Sequence, residues 1–105
     1  MSEALRDLRA SYREKLPDQL GELTERLRAS REPGGSEAFL QAREIAHRIA
    51  GTAGSYGFGD IGAALGRIED ALQEVHAEDV EDARWSDIDA AVAEIQENLS
   101  AGGNP

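Results

Sequence analysis

Residues 46–66 read AHRIAGTAGSYGFGDIGAALG. Two helical patterns meet in this stretch, and how they meet decides the fold. Apolar residues recur at spacings of three and four on either side of SYGFG (55–59), yet the stretch holds six glycines. A glycine inside a helix costs about 1 kcal/mol relative to alanine, so helical sequence does not keep several without a reason. Gly57 and Gly59 fall where a helix-to-helix turn needs positive φ. Gly51 and Gly54 lie just beyond His47, one of only two histidines in the chain.

Upstream of the turn, Phe39, Ala42, Ala46, Ile49 and Ala53 share one face of a helix, and Ser36 is its predicted N-cap. Downstream, Asp60 is the predicted N-cap of a third helix with the stripe Ile61, Leu65, Ile68, Leu72 and Val75. A first helix runs from about Ser2 to Ser30, with Leu5, Leu8, Tyr12, Leu16, Leu20, Leu23 and Leu27 in register. Pro17 lacks an N–H and disfavours helix in the residue before it, which predicts a kink or break there. REPGG (31–35) reads as a loop and HAEDVED (76–82) as an acidic connector. A fourth stripe follows in Trp85, Ile88, Val92, Ile95 and Leu99, read as core. Short connections between amphipathic helices imply antiparallel neighbours. The expectation is an all-α, up-and-down antiparallel four-helix bundle, one domain over 1–100 with a flexible tail at 101–105.

Composition narrows the function. Among 105 residues, 21 are acidic and 11 basic, a net charge of -10. No positive field is available to displace counterions from phosphates or to hold an anionic membrane surface, so nucleic acid and membrane are excluded as partners. The absence of cysteine rules out a disulfide framework and a thiol nucleophile. No apolar run approaches the roughly 18 residues of a membrane span, and MSEALRDLRA lacks the pattern of a signal peptide. A cytoplasmic location is expected.

His47 sits about 100° round the helix from Ala46, at the edge of the core face. Ala50, Gly51 and Gly54 leave bare surface on its C-terminal side, open to a bulky partner. On the third helix, Gly62, Gly66, Glu69 and Gln73 form a stripe beside the core stripe, and small residues there allow close approach to the second helix. The turn is centred near Phe58, and His47 and Glu69 stand eleven residues on either side of it. In an antiparallel hairpin such positions are level, which proposes a His47–Glu69 pair. A carboxylate accepting from Nδ1–H fixes the tautomer and points the Nε2 lone pair outward. The product is an oriented nitrogen nucleophile on a rigid helix.

AHRIAGTAGSYGF resembles the motif of the histidine phosphotransfer (HPt) domains of bacterial two-component signalling. In that motif the histidine is followed by an apolar residue at +2, Lys at +3, Gly at +4 and a small-residue run to Gly at +10. Ile49, Gly51, Ala53 and Gly57 fit. The likeness is closest to the amino-terminal phosphotransfer domain of chemotaxis-type histidine kinases, which carries a Glu on the next helix where Glu69 stands. The resemblance implies that His47 is a phosphoacceptor oriented by Glu69, taking a phosphoryl group from a histidine kinase or a receiver aspartate. It would pass the group to the aspartate of a response-regulator receiver domain docking over Ala50, Gly51 and Gly54. It also implies no cofactor in this chain, with Mg2+ in the receiver partner and no ATP-binding domain here. One departure stands out: the family Lys at +3 is Ala50, and Arg43 or Arg48 is the candidate replacement cation.

The alternative from a different class is a non-catalytic helical adaptor that binds a receiver or kinase through the same face. Other readings fail on the residues. Glu44-Ile45-Ala46-His47 spells the Glu-x-x-His of di-iron bundles, but no second copy accompanies it. Thr52, Ser55 and Tyr56 lack a base or oxyanion arrangement. His76 is expected to interact with the C-terminus of the third helix.

Overall fold

Apolar residues at three- and four-residue spacing give each helix one face that must be covered, and the four faces cover one another. The computed structural model describes residues 3–73 and 79–101. Its elements are α1 (Glu3–Ser30), α2 (Ser36–Ser55), α3 (Gly59–Leu72) and α4 (Asp82–Ala101). There is no strand among the described residues. Consecutive helices pack against each other, α2 on α3 most extensively, as a four-helix bundle. Leu16, Leu20, Leu23 and Leu27 of α1 meet Phe39, Ala42, Ala46, Ile49 and Ala53 of α2 in the core. Ile61, Leu65, Ile68 and Leu72 of α3 and Ile88 and Ile95 of α4 complete it. Val75 and His76 lie outside the described residues.

Several expectations need correction. Of the kink or break expected at Pro17, the break does not occur: α1 continues through the proline as one helix. Leu16 and Leu20 on either side of the proline are buried, and that packing outweighs the lost backbone hydrogen bond. Leu5 and Leu8 are exposed rather than core, Leu8 by 54%. The cause is length, since 28 residues of α1 span about 42 Å and 20 residues of α2 about 30 Å. Arg9 Nε donates to Tyr56 O at 3.0 Å, and its guanidinium lies 4.7 Å from the Phe58 ring centre. Arg9 is thus level with the α2–α3 turn, and the residues before it project past the bundle. Trp85 is half-buried, with the Arg31 guanidinium 4.3 Å from its ring centre, so it is a rim residue and not core.

Neither predicted cap holds. The α2 cap is Gly35, where a Cβ would lie 2.6 Å from Ser30 O, and Ser36 is already helical. Phe58 caps α3, and Asp60 sits in its first turn, where a negative charge favours the helix dipole. α4 continues to Ala101 before the glycines at 102 and 103.

The seam between α1 and α4 is the open corner. Arg13 Nη2 donates to Leu99 O at 3.3 Å near one end, and Arg31 pairs with Asp89 near the other. Between these ties lies a groove of about 460 Å³ lined by Pro17, Leu20, Gly21, Thr24, Gln96 and Leu99 among others.

Candidate functional site

The α2–α3 hairpin sets the site. Tyr56 N–H bonds Thr52 O, Gly57 N–H bonds Gly54 O at 3.2 Å, and Phe58 N–H bonds Ala53 O at 2.9 Å. Gly57 takes φ +85°, the left-handed conformation that this helix ending requires. Gly59 does not share it; it is the first residue of α3. The tight turn brings α3 back along α2 with the helices close together. A Cβ on Gly62 would lie 3.3 Å from Gly54 N and 3.4 Å from Ala50 O, so only glycine fits there without displacing backbone. Gly66 has no such neighbour within 4 Å.

This closeness carries the pair one and two turns further on. The His47 Nδ1 hydrogen-bonds Glu69 Oε2, and the side chains are 75% and 19% exposed respectively. An ionised carboxylate only accepts, so Nδ1 holds the proton and the Nε2 of the neutral ring keeps its lone pair. Glu69 is the sheltered member and the imidazole projects from it into solvent. The level positions read about Phe58 are therefore in contact.

A shallow cleft of about 400 Å³ opens beside the ring, lined by Leu40, Arg43, Glu44, His47, Glu69 and Gln73. Gln73 Nε2 donates to Glu69 Oε2 at 3.4 Å. Arg43 shares the cleft with His47, whereas Arg48 is exposed and does not line it. Past the ring, Gly51 and Gly54 are exposed, and a Cβ on either would have no heavy atom within 4 Å. Ala50 is half-buried against the core. The hydroxyls nearby bond back into their own helix, Thr52 Oγ1 to Arg48 O and Ser55 Oγ to Gly51 O.

Leu40 and Gln73 also line this cleft, which sequence reasoning missed. Leu40 stands seven residues before His47 and off the core stripe, and it is 53% exposed. Gln73 follows Glu69 by four residues, the spacing at which helical side chains meet.

Charge is unevenly distributed around the site. Residues 1–68 carry ten acidic and ten basic side chains, while residues 69–105 carry eleven acidic ones and Arg84 alone. The net charge of -10 thus belongs to the chain from Glu69 onward, and α2 lies in the balanced part.

A family model described as "Hpt domain" matches residues 7–101. No curated protein and no solved structure matches the chain.

Proposed function

We propose, on the premise that this chain belongs to the Hpt domain family, that His47 is its phosphoacceptor in two-component phosphorelay. The Nε2 lone pair attacks phosphorus of an incoming donor, a kinase-bound nucleotide or a receiver aspartyl phosphate. An N–P bond forms as the bond from phosphorus to the donor's leaving oxygen breaks, and that oxygen keeps the electron pair. The proton on Nδ1 stays in its hydrogen bond to Glu69, whose charge offsets the positive charge developing on the ring. In onward transfer, an aspartate oxygen of a receiver domain attacks phosphorus and the N–P electron pair returns to Nε2. Mg2+ belongs to the receiver partner in this scheme. Arg43, in the cleft beside the ring, is the better placed cation for the phosphoryl oxygens, and Arg48 the second candidate.

The receiver docks over Ala50, Gly51 and Gly54, where no side chain obstructs a close approach to Nε2. A transient exchange complex needs only a modest interface. The charge-balanced α2 surface also imposes little repulsion on an acidic partner site. The setting is cytoplasmic, and no described helix is long and apolar enough to cross a membrane.

One observation carries the reading: an imidazole tied through Nδ1 to a sheltered carboxylate while 75% of its side chain faces solvent. Incubation with a phosphorylated receiver or a kinase and labelled nucleotide tests it. The wild type takes an acid-labile label, and His47→Gln takes none. Because the side chain is a surface one with a single hydrogen bond, the variant's stability moves by less than about 1 kcal/mol. Undiminished labelling of His47→Gln ends the proposal. Ala50 in place of lysine favours one second reading, an adaptor that binds the same partners without transfer. Binding without any label identifies it.

A further inference from the structure

We propose that Gln73 is a positioning residue for His47, acting through Glu69; the inference builds on the phosphoacceptor reading. Glu69 Oε2 receives two contacts, the His47 Nδ1–H and the Gln73 Nε2–H at 3.4 Å. The carboxylate accepts only, so the amide nitrogen is the end of Gln73 turned toward it. An oxygen with two lone pairs takes both donors, and it is held between them. A glutamate with one partner retains rotamer freedom about its side-chain torsions, and a second donor on the same oxygen reduces it. The histidine is exposed, and among the described residues its ring has no other hydrogen bond to the fold, so the ring's orientation is no better defined than that of Glu69.

Gln73 is itself well placed to hold a direction. It is the C-cap of α3, with ψ 144°, and its backbone N–H bonds Asp70 O at 3.3 Å. The chain leaves the helix at this residue, four positions after Glu69. Its chemical type also matters. A lysine or arginine there would compete with the imidazole for the Glu69 charge and neutralise it. A glutamate would repel it, as like charges at this spacing do. A neutral amide donor fixes the carboxylate and leaves its full charge to the ring. Gln73 lines the cleft together with His47 and Glu69.

The test uses Gln73→Met, which keeps length without a donor, and Gln73→Glu, which adds repulsion, each also combined with Glu69→Gln. Imidazole nitrogen NMR reads the fraction of His47 in the Nδ1–H tautomer, and phosphorylation at saturating donor reads the chemical step. Both single variants are expected to lower the Nδ1–H fraction and to slow phosphorylation about three- to tenfold, with partner affinity unchanged. In the Glu69→Gln background, Gln73→Met should add nothing, because its route to the ring is gone. A wild-type tautomer population in Gln73→Met overturns the inference. So does an equal effect with and without Glu69, which would make Gln73 act directly. The tautomer measurement needs no label, so a wild type that never accepts phosphate refutes the phosphoacceptor reading and leaves the positioning role separately decided.

Discussion

Gly51 and Gly21 occupy helix interiors with open space around them, and replacing each by glutamine separates a folding role from a docking role. Neither position has a heavy atom within 4 Å of where a Cβ would stand. With no steric cost, the change is governed by helix propensity, and glutamine exceeds glycine by about 0.7 kcal/mol. For a domain of this size that raises the melting temperature by about 3–6 °C. Urea unfolding followed by far-ultraviolet circular dichroism should show the same gain for both variants. Transfer should then divide them. Gly51→Gln puts a side chain on the surface proposed for the receiver's approach to Nε2. A loss of docking free energy of about 1.4 kcal/mol lowers transfer at limiting receiver about tenfold. Gly21 lies on α1 in the groove beside α4, away from His47, so Gly21→Gln transfers normally. The reasoning fails if Gly51→Gln transfers at the wild-type rate, or if Gly21→Gln slows transfer as much. A more stable protein that transfers poorly is the signature of glycines kept for a partner.

Two further outcomes follow from packing. Gly62→Val places branched carbons against the backbone at Gly54 and Ala50, where even a Cβ is already tight at 3.3 Å. Destabilisation of about 1–3 kcal/mol is expected, together with loss of the His47–Glu69 hydrogen bond in NMR spectra; unchanged urea midpoint and spectra would refute the close approach. Tyr12 is buried, its ring stacked on Tyr56 at 4.8 Å, and its hydroxyl has no hydrogen-bond partner. Burial first, and Tyr56 second, raise its pKa above 10.0. The unfolded chain therefore releases this proton near pH 10 while the native state retains it, and stability falls as pH climbs beyond that point. Tyr12→Phe should be neutral or stabilising by up to about 1 kcal/mol at pH 7, with a shallower alkaline decline in the urea midpoint. A clear loss of stability at pH 7 would show that the hydroxyl is satisfied.

The parts of this molecule that were legible in sequence are those fixed by local periodicity. The α2 stripe and Ile61, Leu65, Ile68 and Leu72 of the α3 stripe are buried as spaced, and the His47–Glu69 contact follows from counting outward from Phe58 because the intervening helices have no insertion and Gly62 lets them close. Helix ends were less legible. Ser36 and Asp60 have good capping chemistry, yet Gly35 and Phe58 cap instead, since crowding at Ser30 and the geometry after Gly57 decide where each helix begins. Periodicity states which face of α1 is apolar but not how far its neighbours reach, so Leu5 and Leu8 read as core and are exposed. Pro17 illustrates the same limit, because a local penalty is visible in sequence and the tertiary packing that overrides it is not. Gln73 was recognisable only as a neighbour of Glu69; its donor role depends on where α3 stops.

The open seam between α1 and α4 has a consequence for how the molecule breathes. α4 packs on α3, and its side-chain ties across the seam are Arg13 of α1 at one end and Arg31, just past the end of α1, at the other. Of its own side chains α4 contributes only Ile88 and Ile95 to the large, fully buried ones, whereas separating α2 from α3 opens the centre of the core. Opening free energies differ accordingly within one domain. The amide protons of α4 should exchange with solvent through a partial opening, and those of Ile45–Ile49 and Leu65–Ile68 only through global unfolding. Exchange of α4 leaves the helical hairpin, its turn and the histidine–carboxylate pair assembled. On this expectation, the proposed phosphoacceptor pair is built on the last part of the molecule to come apart.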